Sequence, residues 1–317
     1  MNYVGIDISK ESFDVALKES ISYKHYKFNN NTIGFKQFVK LLSKTEHWCV
    51  MEASGPYYQK LALHLQLHEI KVSVVNPLVI RRFCQMRLVK AKTDKKDAAM
   101  IAEYGKTENP KAWEAPAAYL LELKQMQAYI EQLDKSRTGF IRQIEAFKQS
   151  PVFNKEVKKG IERMIKATEK QIQEVEQKME SIIRQHHNQM FEQIKSIPGV
   201  GKKTSLLLVV ISGGFTKFEN AKQLSSYVGL SPRIFESGTS VKGKVRICKM
   251  GMSRVRAMLY VCSWSAIKYN KACKELYQRI VEKGKAKQVA LIAVANKLLK
   301  QAFALAKKNE YYKTELI

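Results

Sequence analysis

The chain has 317 residues, 45% hydrophobic and 26% charged, enough for two or three folded units with their own cores. Its formal net charge is +26, and residues 191–317 hold most of the excess, with 24 basic against 7 acidic side chains. Such a surface points to a polyanion, most commonly nucleic acid. Five cysteines (Cys49, Cys84, Cys248, Cys262, Cys273) form no CxxC pair and no zinc spacing; odd in number and several of them in apolar stretches, they read as small buried residues in a reducing compartment. No signal peptide is expected before the first strand. No apolar run approaches membrane length, because Lys297 and Lys300 interrupt 288–306. A soluble protein of the cytoplasm, associated with the nucleoid, is expected.

In chain order, residues 2–8, 13–18 and about 22–28 read as three consecutive strands. Asn31 and Thr32 open a helix running to about Ser43. HWCVME (47–52) is a fourth strand. Pro56 falls in the first turn of a helix whose stripe is Leu61 and Leu65. KVSVVN (71–76) is a fifth strand, Pro77 starts a short helix, and Thr93 caps the next one. The order βββαβαβα predicts a mixed sheet flanked by helices, of the ribonuclease-H-like kind. Residues 1–110 form this first domain.

Residues 111–190 carry two seams. Ile161, Ile165, Thr168, Ile172, Val175, Met179 and Ile182 follow 4,3 spacing, and Ile130, Leu133, Arg137, Phe140, Ile144 and Phe147 form a weaker one, with Pro151 between them. Two long helices in an antiparallel hairpin or coiled coil follow, within the chain or between subunits. Residues 191–317 are expected to be mainly α-helical, with apolar helices near 252–269 and 285–307 around a polar segment at 231–246.

Four carboxylates stand out. Asp7 lies inside the apolar strand YVGIDIS, and Glu52 ends HWCVME. Asp94 and Asp97 share one side of the first turn of their helix. A carboxylate within or at the end of a buried strand is costly unless compensated. Two Mg²⁺ ions would compensate all four and would serve phosphodiester chemistry. Gly5, two residues before Asp7 and on its face, leaves room for a metal or a phosphate. Ion pairing with Lys10, Lys92 or Lys95 is the alternative. Acids at a helix N-terminus also suit its dipole without any metal. Asp14, on the second strand, is expected to face solvent.

IPGVGKKT (197–204) reads as a helix-hairpin-helix-like grip on phosphate, with Gly199 and Gly201 in the turn and Lys202 and Lys203 adding charge. The bland alternative is a helix-joining turn. In 231–256, Ser237 sits among Arg233, Lys242, Lys244, Arg246, Lys249, Arg254 and Arg256. A serine hydroxyl can attack a phosphodiester if its proton is removed and the phosphate charge is neutralised. A turn serine is the ordinary reading of S-G. Arg81, Arg82, Arg87 and Lys90 are a further basic cluster that suits RNA or merely solvation.

GIDISK (5–10), MEASG (51–55), VNP (75–77), KTDKKDA (92–98), IPGVG (197–201), YVGLSPR (227–233), SGTS (237–240) and ICKMG (247–251) together resemble the DEDD-type insertion-sequence transposases of the IS-one-ten group, which includes the Piv DNA invertases. The resemblance spans essentially the whole chain. It implies a RuvC-like domain holding Asp7, Glu52, Asp94 and Asp97, a coiled coil used in assembly as a dimer or tetramer, and a C-terminal transposase domain. That domain would supply a serine nucleophile mapping best onto Ser237, with Thr239 and Ser240 as neighbouring hydroxyls. It also implies double-stranded DNA as substrate and a structured noncoding RNA bridging target and donor. Two rivals share parts of the pattern. One is a metal-dependent nuclease or Holliday-junction resolvase using water. The other is a non-catalytic nucleic-acid-binding protein.

Overall fold

The computed structural model describes residues 2–19, 22–89, 93–233, 236–237, 241–242 and 246–313, with 236–237 and 241–242 described as backbone only. The chain divides into two compact units, residues 1–116 and 117–317.

The first unit is a five-stranded mixed sheet with helices on both faces. Its strands are β1 (Asn2–Ile8), β2 (Ser12–Glu19), β3 (Ser22–Asn29), β4 (His47–Glu52) and β5 (Lys71–Val75), in the order β3-β2-β1-β4-β5. The first three pair antiparallel; β4 and β5 join β1 in parallel. The helices are α1 (Thr32–Val39), α2 (Tyr58–Leu67), α3 (Pro77–Met86) and α4 (Asp94–Glu108). Asn31 caps α1 by accepting from the Ile33 and Gly34 amides, as its side chain dictates. The helix stops at Val39, four residues short of the expected end. Pro56 lies two residues ahead of α2, in the turn, and not in its first turn.

Strand alternation sorts the sheet into two layers. Val4, Ile6, Ile8, Phe13, Val15, Cys49 and Met51 pack on one side with Phe35 and Phe38 of α1 and Leu61 and Leu65 of α2. Val50 and Val75 pack on the other with Ile80 of α3 and Ile101 of α4. Gly5 is paired with Val50 and so lies on this second side. A side chain there would collide with the Ala98 carbonyl and the Ala102 amide of α4. The glycine therefore makes room for a helix, correcting the expectation that it makes room for a metal or phosphate. Ala98, Ala102 and Gly105 give α4 the small face that this approach needs.

The second unit is helical except for short strands. Two long helices, α5 (Ala118–Phe147) and α6 (Lys155–Lys195), pack on each other. Of the anticipated seams, Ile130, Thr168, Ile172 and Met179 are buried and the rest are partly exposed. Helix α6 is kinked at His187, whose backbone is non-helical (φ −144°, ψ 33°). Then follow α7 (Lys202–Ser212), α8 (Ala221–Val228), α9 (Ser253–Tyr269), α10 (Lys271–Glu282) and α11 (Lys287–Lys308). Helix α11 is long and apolar enough to cross a membrane by length and composition, so Lys297 and Lys300 do not exclude that test as expected. Its Val294, Leu298, Leu299 and Phe303 belong to the core of this unit.

Between α8 and α9 the polar segment forms paired strands. They are β6 (Pro232–Arg233), β7 (Glu236–Ser237), β8 (Val241–Lys242) and β9 (Arg246–Ile247), with β6 on β9 and β7 on β8, both antiparallel.

Candidate active site

The first unit gathers all four carboxylates into one cleft of about 750 Å³. Asp7 lies near the end of β1 and Glu52 ends the parallel strand β4; Asp94 and Asp97 open α4. The three elements converge because Gly5 brings α4 onto β1. Thr93 fixes where α4 begins by accepting from the Lys96 amide at 3.3 Å. The Ser54 hydroxyl donates to Glu52 Oε1 at 3.1 Å and orients that carboxylate.

The electrostatics are strained. Partial burial, then repulsion from Asp97, Asp94, Glu52 and Asp14, pushes the Asp7 carboxyl up to about 6. Cys84, on the cleft wall, has its thiol pushed up by burial and by Asp97 and Glu52. Among the described residues no three His, Cys, Asp or Glu side chains form a ready-made metal shell. The donor set nevertheless fits a hard divalent cation. All four groups are oxygen donors, and magnesium takes only one or two carboxylates, filling its octahedron with water and substrate oxygens. The mutual repulsion at Asp7 is what a cation between these groups would relieve.

Asp14 is buried, not solvent-facing as expected. It stands directly across from Asp7 in the β1–β2 register. Its Oδ1 lies 2.7 Å from His25 Nε2 and its Oδ2 lies 3.6 Å from Lys27 Nζ. The strand pattern hid this because α4 covers β2 on that face as well as β1. Helix α3 also lines the cleft, with Leu78, Arg81 and Gln85; of these only Arg81 stood out in the sequence, as one of a basic cluster.

In the second unit, Gly199 takes φ +98°, and a side chain there would meet the Ala266 backbone at 2.7 Å. Gly201 caps α7 with open space around it. Lys202 is ion-paired with Glu180 and Lys203 with Glu176 (2.8 Å), so both lysines are engaged by α6. Arg233 and Arg246 are exposed and sit directly opposite each other on β6 and β9. Lys249 is exposed at φ +58°. Arg254 pairs with Asp134 at 2.7 Å, and Arg256 donates to the Val228 carbonyl at 2.9 Å. Ser237 pairs with Val241 across β7 and β8. The side chains of Ser237 and Lys242, and all of Lys90, Lys92, Thr239, Ser240 and Lys244, lie outside the described residues.

Residues 4–150 match a DEDD transposase family model, and residues 191–278 match the model described as the transposase IS116/IS110/IS902 family. The pilin gene-inverting protein of Moraxella lacunata is 30% identical, over 97% of this chain and 96% of its own length. The chain belongs to the IS110 family of transposases and recombinases. The transposase for insertion element IS1111A of Coxiella burnetii is 22% identical over 98% of the chain and 91% of its own length. An IS110 protein of Streptomyces coelicolor is 28% identical over 39% of the chain and 30% of its own length. As an IS110-family transposase it is a DNA recombinase, and its DEDD signature suggests the use of divalent metal.

Proposed function

We propose that this IS110-family enzyme breaks and rejoins DNA strands through a transient covalent link to Ser237, assisted by Mg²⁺ at Asp7, Glu52, Asp94 and Asp97. The observation that carries the reading is the gathering of the four carboxylates in one cleft, at the cost of their mutual repulsion. Cations bound there would polarise the phosphate and lower the pKa of the attacking hydroxyl. The first unit is then a ribonuclease-H-like, RuvC-like domain, which its strand order β3-β2-β1-β4-β5 supports. Its acids supply charge but no nucleophile. The Ser237 hydroxyl supplies the nucleophile. As its oxygen bonds to phosphorus, the bond to one deoxyribose oxygen breaks, and that oxygen leaves as a free hydroxyl that takes up the proton the serine gives up. The number of phosphodiester bonds stays constant, so exchange needs no ATP.

DNA contact through the C-terminal domain is supported by the register of Arg233 and Arg246. Like charges directly opposite on a ribbon are unfavourable unless an anion comes between them or solvent screens them. Gly199, Gly201 and Lys249 are candidate contacts with DNA, and so are Lys202 and Lys203 if they exchange their glutamates for phosphate. A coiled coil of α5 and α6, assembly as a dimer or tetramer, a bridging RNA and residence with the nucleoid complete the proposal; the RNA rests on the family resemblance.

The test is a strand-exchange assay with element-end DNA, the flanking RNA and Mg²⁺. A protein–DNA adduct that survives denaturing electrophoresis is expected for the wild type and absent from Ser237→Ala and Asp7→Asn. An adduct persisting in Ser237→Ala would move the role to another hydroxyl such as Thr239 or Ser240. Cleavage with no adduct in any variant would favour water as the nucleophile.

A further inference from the structure

The lining of the cleft that holds the four carboxylates has two chemically contrasting parts. Strands β1 and β4 and the start of α4 present only acceptors: Asp7, Glu52, Asp94 and Asp97. Helix α3 presents Arg81 and Gln85, four residues apart and therefore on one helical face, with Leu78 one turn before Arg81. Ile80 and Phe83 anchor α3 in the fold, which fixes the direction of that face. Arg81 is exposed, and among the described residues it has no carboxylate partner although four acids line the same cavity. The Arg82 guanidinium donates to Gln85 Oε1 at 2.9 Å. That contact occupies the amide oxygen of Gln85 and leaves its N–H₂ group as the end that can donate.

We propose that α3 is the phosphodiester-holding wall of the cleft, with the Arg81 guanidinium clamping the non-bridging oxygens of a nucleic-acid phosphate and Gln85 donating beside it. The idea rests on the metal reading of the carboxylate wall and deepens it. Four acids alone repel a phosphodiester. Cations on one side and a planar fork of donors on the other give it a bound position between them. Leu78 adds an apolar surface beside the arginine, suited to a sugar or a base face. An arginine kept apart from acids in its own cavity retains its donors for an incoming anion.

The test uses the full chain and thymidylyl-(3′→5′)-thymidine as a minimal phosphodiester. Mn²⁺ affinity is read by electron paramagnetic resonance, and dinucleotide binding by the ³¹P signal, both its shift without metal and its broadening by bound Mn²⁺. Broadening reports only phosphate next to the metal, so contacts with the basic second unit do not count. Arg81→Ala is expected to bind Mn²⁺ like the wild type while losing about tenfold or more in dinucleotide affinity at that position. Arg81→Lys keeps the charge without the fork and should recover only part of it. Lys44→Ala, which removes the same charge from an exposed pair with Glu69, serves as the control and should match the wild type. Equal dinucleotide affinity in wild type and Arg81→Ala would overturn the proposal. So would full recovery by lysine, which reduces the clamp to a point charge. A wild type that binds the dinucleotide through Arg81 but shows no Mn²⁺ binding would support the arginine clamp and defeat the metal reading.

Discussion

Asp7 and Asp14 face each other directly across the antiparallel pair β1–β2, on the sheet face covered by α4. Two carboxylates in register repel, and the structure compensates them differently. Asp14 is closed off by His25 and Lys27, whereas Asp7 is left facing the cleft with Glu52, Asp94 and Asp97. The inner acid is tied up as structure and the outer one is kept available. His25→Ala removes the close partner from a buried carboxylate. It should destabilise the protein by about 1–3 kcal/mol in urea denaturation, the cost typical of an orphaned buried polar group. A change below about 0.5 kcal/mol would mean that Lys27 or solvent suffices.

The raised Asp7 carboxyl makes the stability of metal-free protein fall with pH. Its folded value is about 6 against an ordinary 3.8, so the folded state holds the proton more tightly than the unfolded chain. The penalty for ionising it is absent below about pH 4, grows between 4 and 6, and is complete above 6. In EDTA, wild type should lose stability across that window relative to Asp7→Asn, which removes the ionisation. The difference at pH 7 should be on the order of 1 kcal/mol, because the open cleft lets solvent screen the charges. Divalent cation should reverse the sign, stabilising wild type above pH 6 and leaving the variant little changed. Parallel pH profiles of the two proteins in thermal melts would refute this account.

Gly5 sets the position of two acids it never touches. Any Cβ at this residue pushes against the backbone of α4 at Ala98 and Ala102, so the helix must lift and carry Asp94 and Asp97 with it. Gly5→Ala should cost about 1–3 kcal/mol and weaken Mn²⁺ binding at least tenfold in the protein that remains folded. Gly201→Ala is the contrast. A Cβ there meets nothing among the described residues, and replacing glycine with alanine at a helix N-cap costs only a few tenths of a kcal/mol to about 1.

Most of the first unit was legible in the sequence because its signals are local. Asn31 and Thr93 are capping residues placed before helices, and HWCVME is a strand bounded by polar residues; each does what its chemistry dictates, whereas Asn76, read as the end of the fifth strand, caps α3 instead. Asp7 and Glu52 stood out as acids within or at the end of apolar strands and Asp94 and Asp97 as a pair on one helical turn, and the structure brings all four to one cleft. What the sequence hid depends on tertiary approach. Gly5 and Asp14 were misread because nothing in YVGIDIS or SFDVALKE reveals that α4 crosses that face. Arg81 read as one of a surface basic cluster, because only the fold brings α3 to the lining of the cleft that holds the acids. Lys202 and Lys203 read as phosphate ligands because their partners, Glu180 and Glu176, lie more than twenty residues earlier on α6.

That contrast separates the basic residues of the second unit in a salt titration. The logarithm of DNA affinity falls linearly with the logarithm of salt concentration, with a slope of about 0.9 for each phosphate contact neutralised. Arg233 and Arg246 are exposed and in register, so each alanine substitution should lower the slope by roughly one contact in fluorescence anisotropy with duplex DNA. Lys202 and Lys203 already neutralise glutamates, so alanine at either should leave the slope nearly unchanged. Losing Lys202 also bares Glu180, whose carboxyl is held below its usual range by Lys202 and Arg184. A slope that drops for Lys202→Ala as much as for Arg233→Ala would show that the lysines leave α6 for DNA and that the hairpin grips phosphate after all.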